Sequence, residues 1–203
     1  MPRKTPRRLA PEIRSHDILL TALELFARKD FSGVTIREIA AACGVNVALI
    51  YYYFQSKEVL FEAAIEYAIQ GALERYRTRT NVITDPVQSL DEWFKINLEL
   101  FPTLQKMVKI IIDYSFSTPG KAPIDAQIRT LYGQEREILF SCIEAGIQSG
   151  AFRKVDPLKS AIFISAYLDG LYMVSMTRPW SDIQELMADA RTIVWDHLGI
   201  GRA

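Results

Sequence analysis

Histidine and cysteine are scarce in this chain, two of each among 203 residues. His16 and His197 stand at opposite ends, and neither Cys43 nor Cys142 belongs to a CxxC pair. Metal-ligand spacing and a disulfide framework are therefore missing; two reduced, mostly buried thiols and no bound metal are expected. G-x-S-x-G, the P-loop and G-x-G-x-x-G are missing as well, so the chain reads as a non-enzyme with no cofactor. There is no Asn-Gly or Asp-Gly hairpin and no sustained period-2 alternation, which argues against a sheet. No apolar segment follows the N-terminal charges, so a cytoplasmic protein is expected. The most apolar run, 160–177, carries Asp169 at its centre. A bilayer would cost that residue roughly 3 kcal/mol, so a buried helix with no membrane partner is the better reading. Net charge is also absent, with 24 Lys/Arg against 24 Asp/Glu.

The neutrality hides an asymmetry. Residues 1–57 hold nine Lys/Arg against five Asp/Glu, and the remainder reverses the sign. Four of the nine, Arg3, Lys4, Arg7 and Arg8, sit in the first eight positions beside Pro2 and Pro6. This reads as a cationic arm for an anionic partner or as a solubilising tail.

Helical periodicity is nearly continuous and is punctuated by Pro and Gly. It predicts a helix over 12–29 with Ile18, Ala22, Leu25, Phe26 and Lys29 on one side. A second helix follows Thr35, whose partner Glu38 completes a capping-box pattern. Gly44 ends it, Asn46 caps a third helix to about Phe54, and Ser56 caps a fourth to about residue 79. Further helices are expected at roughly 86–101, 103–115, 122–149, 156–177 and 182–198, with Pro86, Pro102, Pro119, Pro123, Pro157 and Pro179 at or near the breaks. The fold class is all-α, about nine helices. A boundary is expected at 57/58, with a three-helix domain over 1–57 and a second, helical domain over 58–203.

Within 35–54, small Ala40, Gly44 at a tight turn and apolar Ile50 have the spacing of a helix-turn-helix. A generic αα-hairpin is the alternative. The third helix contains Tyr51, Tyr52, Tyr53 and Phe54 in succession. At about 100° per residue they cannot share one face. With Ile50 toward the core, Phe54 and Val47 fall on or beside the core face, while Ala48 and Tyr52 point away. Tyr51 and Leu49 flank that outer face, and Tyr53 lies at its rim. Exposed phenols in a row suit a partner, and in a major groove they meet sugar, thymine methyl and phosphate.

The stretch ILLTALELFARKDFSGVTIREIAAACGVNVALIYYYFQSKEVLFEAAI, 18–65, resembles the DNA-binding domain of TetR-type bacterial transcriptional regulators. The likeness lies in LF-A, T-I-R-E-I-A, the G-V turn, Tyr-x-Tyr-Phe and S-K-E-x-L. GIQSGAFRKVDP (146–157) and L-D-G-L (168–171) are weakly similar to the family. The resemblance implies that Thr35 and Arg37 approach phosphate or the groove edge. Asn46 would lie at the DNA with Val47, Ala48 and Leu49, the last three near base edges, and Tyr51 and Tyr52 would lie beside them. Tyr53 and Lys57 would hold phosphates. Asp30 replaces a usual glycine, and a left-handed conformation is expected there. Val-Ala-Leu at 47–49 lacks polar base readers, so thymine-methyl contact and shape readout are expected.

The same resemblance implies a homodimer on a palindromic double-stranded operator, released by a small effector, most simply a hydrophobic one. Stripes at Ile162, Ala166, Gly170 and Val174 and at Leu186, Ala190, Ile193 and Val194 suit a four-helix dimer face or the domain's own core. Trp93, Phe94, Met107, Ile111, Tyr114, Tyr132, Tyr167 and Tyr172 suit either an effector pocket or core packing. Asp169 and Asp113 read as counter-charges to a cationic ligand or as paired structural acids. The alternative function is architectural, effector-independent DNA binding; a tyrosine fan directed at a protein partner is a further rival.

Overall fold

The computed structural model describes residues 11–117, 122–178 and 180–201. The expected basic arm (Arg3, Lys4, Arg7, Arg8), Pro119 and Pro179 lie outside these residues. The elements among the described residues are nine α-helices and no strands. They are α1 (Pro11–Arg28), α2 (Ile36–Ala42), α3 (Val47–Tyr53), α4 (Lys57–Thr80) and α5 (Pro86–Glu99), followed by α6 (Phe101–Ser117), α7 (Ala122–Ser149), α8 (Pro157–Thr177) and α9 (Ile183–Leu198). The chain divides into two compact units, Met1–Tyr67 and Ala68–Ala203. The boundary expected at 57/58 is the first turn of α4; the units divide further along that helix.

In the first unit, α1 buries Ile18, Ala22, Leu23 and Phe26. The Phe26 ring meets Phe61 edge-on at 4.9 Å between centroids. The unit closes with Ile39 and Ala40 of α2, Ile50 of α3 and Leu60 of α4. Gly44 has φ 66°, the left-handed turn between α2 and α3 that a side chain would strain. Asp30 differs from expectation: among the described residues no non-glycine residue has a positive φ. Its Oδ1 instead accepts from Gly33 N (2.6 Å) and Ser32 Oγ (3.0 Å), a side-chain turn that needs no left-handed residue.

In the second unit, α8 packs against α6, α7 and α9, and α5 packs against α6, α7 and α9. The helix starts are capped by Asp85, Asp156 and Asp182, the first two followed by proline in the first turn. The core contains Leu90, Phe94, Leu139, Ile143, Ile164 and Leu198. Gly146 has a packing reason: a Cβ there would lie 2.1 Å from the Phe152 ring. Phe152 is buried, and Arg153 N donates to Leu198 O (2.7 Å), tying the α7–α8 loop to the end of α9. Asp113 is a paired acid, 2.5 Å from Lys109 Nζ one turn away.

Candidate functional site

Two regions concentrate chemistry, one on each unit. The first is the outer face of α3. Asn46 Oδ1 accepts from Leu49 N (2.7 Å) and so starts the helix. Ile50 and Phe54 are buried and hold it in place. Tyr52 is 79% exposed, Tyr51 52% exposed, and Ala48 is exposed beside them. Val47, Leu49 and Tyr53 are half-buried, and the Tyr52 and Tyr53 rings meet edge-on at 5.2 Å. The four aromatics therefore divide as the 100° turn dictates, one inward and three outward or at the rim.

Thr35 is committed to α2. Its Oγ1 accepts from Glu38 N (3.2 Å), and its own N donates to Glu38 Oε2 (2.8 Å). Lys29 Nζ binds the other oxygen of Glu38 at 2.6 Å. The Lys29 ammonium, then the Thr35 backbone and hydroxyl, hold the Glu38 carboxyl down at about 2. Arg37 is exposed on the same short helix.

Lys57 Nζ donates to Phe31 O (2.8 Å) and Val34 O (3.1 Å) and lies 4.2 Å from the Phe31 ring centroid. Two of its three N–H groups therefore clamp the loop after α1 to the start of α4.

The second region is a cavity of about 70 Å³ inside the second unit. Ile69, Leu73 and Tyr76 of α4 line it, with Trp93 and Asn97 of α5. The other walls are Leu104, Met107 and Val108 of α6, Tyr132 and Glu135 of α7, and Asp169 and Tyr172 of α8. Of the eight aromatic and aliphatic candidates, Trp93, Met107, Tyr132 and Tyr172 are in the wall. Phe94, Ile111, Tyr114 and Tyr167 are not. Phe94 packs between Trp93 and Trp195, Ile111 and Tyr114 are buried, and Tyr167 stacks on Phe163. Each serves packing, because at those positions the helix face turns away from the cavity.

Polar groups in the wall were harder to foresee. Tyr172 OH donates to Asn97 Oδ1 (2.9 Å), and Asn97 Nδ2 donates to Trp93 O (2.8 Å). Ser165 Oγ donates to Glu135 Oε2 (2.6 Å), and the Tyr132 hydroxyl hydrogen-bonds to Asp169. Burial pushes the Glu135 carboxyl up to about 7, and the Asp169 charge adds to that rise. Burial likewise raises the Asp169 carboxyl. Burial is also the main reason the Tyr76 and Tyr132 hydroxyls are raised. A signal existed in the chain: Glu135 interrupts the stripe Tyr132, Ile138, Leu139, Cys142, and Asn97 interrupts Leu90, Trp93, Phe94.

The α8 stripe is an outer face. Ile162, Ala166 and Gly170 are exposed, and Val174 is half-buried. Leu158, Phe163 and Met173, absent from the expectation, extend this apolar face. In α9, Ile193 is 44% exposed and Leu186 half-buried, but Ala190 and Val194 are 0% exposed. Those two belong to the chain's own core, because α9 turns them onto the neighbouring helices of the same unit.

Neither thiol is set up as a nucleophile. Burial raises both, the Cys142 thiol to about 12. Among the described residues no group of three or more His, Cys, Asp and Glu is assembled for a metal, and no helix is long and apolar enough to cross a membrane.

Comparison with known proteins places this geometry in context. Residues 18–64 match the family model described as bacterial regulatory proteins, tetR family. The HTH-type transcriptional repressor NicS of Pseudomonas putida is 30% identical over 153 residues, spanning 74% of this chain and 72% of that protein. A transcriptional regulator from Saccharomonospora viridis, solved in complex with choline, superposes with a TM-score of 0.79 at 24% identity, covering 91% of this chain and 96% of that one. AibR, solved with isovaleryl coenzyme A and operator DNA, gives 0.70 at 24% identity, covering 90% and 96%.

Proposed function

The chain belongs to the TetR family of bacterial transcriptional regulators, and from that premise we propose that it is a homodimeric repressor released from a palindromic operator by a small molecule. One observation carries the reading: α3 is pinned by Ile50 and Phe54 while Ala48, Tyr51 and Tyr52 project from its opposite side. The exposed side is methyl and phenol, so it suits thymine methyls, sugars and phosphates rather than bidentate reading of guanine or adenine. Shape and deformability of the duplex supply the rest of the selectivity.

A palindrome requires two such helices about one turn of DNA apart, roughly 34–36 Å. The exposed apolar face of α8 with Ile193 of α9 supports a second copy of this chain as its cover, and small Ala166 and Gly170 let helices approach closely. The cavity supports an effector site. Helix α4 carries cavity residues Ile69, Leu73 and Tyr76 and, earlier in its length, Leu60 and Phe61 of the first unit. A ligand that binds more tightly when α4 is displaced shifts the population away from DNA-competent spacing. The ligands of the structural relatives, choline in one and an acyl coenzyme A in another, differ in charge. The fold therefore does not choose the effector; this chain's own wall residues do.

The test is a binding selection from random duplex DNA with the full-length protein at physiological salt. A two-fold symmetric motif with thymines opposite α3 is expected. Bulk DNA binding without any enriched motif would replace the reading with architectural binding.

A further inference from the structure

The cavity wall is chemically one-sided. Among the described residues it contains two carboxyls, Glu135 and Asp169, and no lysine, arginine or histidine. Several other acids of the second unit have basic partners: Asp91 with Lys95 and Arg191, Glu99 with Arg79, Asp113 with Lys109. Among the described residues the hydrogen-bond partners of Glu135 and Asp169 are instead neutral hydroxyls, those of Ser165 and Tyr132. Hydrogen bonds from hydroxyls satisfy lone pairs but leave the charge uncompensated in a poorly solvated space.

We propose that this cavity binds an organic cation, an ammonium group on a small apolar body, with Asp169 and Glu135 as its counter-charges. The inference rests on the effector reading above and names the chemical class. The rings of Tyr76, Trp93, Tyr132 and Tyr172 border the same space, and aromatic faces attract ammonium groups. Leu73 and Met107 border it too and suit the apolar body. A cation lets both acids ionise against a positive partner, whereas an anion opposes their ionisation and a neutral ligand supplies no such partner. A bare metal ion does not suit the wall: only two carboxylates are at hand among phenols and aliphatic side chains, short of the oxygen ligands a hard cation demands. The raised Glu135 and Asp169 carboxyls agree with a site that lacks its positive partner.

Size sets a further condition. A volume of about 70 Å³ compares with the roughly 10–15 Å³ of such space that one water needs. An ammonium head with a few carbons fits as the cavity stands, and a longer body requires the wall to give way, Leu73 and Tyr76 of α4 included.

The test uses four probes on the full-length protein without DNA, followed by calorimetry and tryptophan fluorescence: tetramethylammonium, butylammonium, 1-butanol and butanoate. At least one ammonium should bind saturably, about tenfold or more tightly than 1-butanol, with butanoate weakest. Asp169→Asn and Glu135→Gln should each weaken ammonium binding about tenfold, a larger loss than either causes for 1-butanol. Equal or tighter binding of 1-butanol or butanoate overturns the proposal, as does the lack of saturable binding of either ammonium at about 50 mM. The wild-type probe series stands even if a variant fails to fold. Because DNA is absent, an overturned cation site leaves operator binding intact. Failure of the DNA selection likewise leaves ammonium binding measurable.

Discussion

The two sites solve opposite problems with the same kinds of residue. On α3 the tyrosines are outside, and the polar groups nearby, Thr35, Asn46 and Glu38, are spent on helix ends. In the cavity the tyrosines are inside, and the polar groups, Glu135, Asn97 and Asp169, form the wall itself. A surface site can therefore be altered with little effect on folding, whereas every change in the cavity also alters the core. The difference yields predictions that separate binding from stability.

The largest effect is expected from Trp93→Ala, which removes a 4%-exposed ring packed edge-on against Phe94. A loss of about 3–5 kcal/mol in chemical unfolding is expected. A loss below about 1 kcal/mol would mean that the cavity wall is not core and would erase the contrast with α3.

Next is the pH dependence of stability. A carboxyl raised from 4.5 to about 7 holds a proton in the folded state that the unfolded chain has released. Its stabilising contribution is complete below about 4.5 and is lost as pH rises through about 7, up to about 3 kcal/mol in all. Asp169, also raised, acts in the same direction; the lowered His197, whose largest cause is burial, acts in the opposite one. Glu135 faces Asp169, Tyr132 and Tyr172 as titratable neighbours, with Ser165 as its hydrogen-bond donor. The difference between wild type and Glu135→Gln isolates its share. Melting temperatures whose difference stays constant from pH 5 to 8 would show that Glu135 does not titrate there.

Smaller still is Tyr52→Ala. Operator affinity should fall about tenfold to a hundredfold, a loss of about 1.4–2.8 kcal/mol, while the melting temperature stays within about a degree. A drop in melting temperature with unchanged affinity would reverse the roles assigned to the two sites. Thr35→Ala should cost about 1 kcal/mol of stability by removing the hydroxyl half of the capping box, with a lesser effect on DNA affinity. An affinity loss exceeding that of Tyr52→Ala would make Thr35 a DNA contact rather than a cap.

Much of the first unit is legible residue by residue. The capping box at Thr35 and Glu38, Asn46 at the start of α3, Gly44 at positive φ and the inward Phe54 all follow from local rules whose partners lie within a few positions. Asp30 departs from expectation because its side chain closes a local turn, and the two carbonyl partners of Lys57, 23 and 26 positions away, lie beyond the reach of a local rule. In the second unit the starts of α5 and α8 are legible too, marked by Pro86 and Pro157. The roles of its apolar positions are not. Ile193 and Val194 are neighbours of similar character, yet one is 44% exposed and the other fully buried. Trp93 and Phe94 are likewise adjacent, yet one lines the cavity and the other packs away from it.

By itself the sequence determined the all-α class, the helix order and the outward fan of tyrosines, because periodicity, caps and turn residues act over one or two helical turns. Tertiary structure alone decided which face of each long helix meets a neighbour, a cavity or solvent. It thereby brought Glu135, 34 positions before Asp169 in the chain, onto the same wall. Such encounters depend on how helices pack together, and no local pattern encodes that.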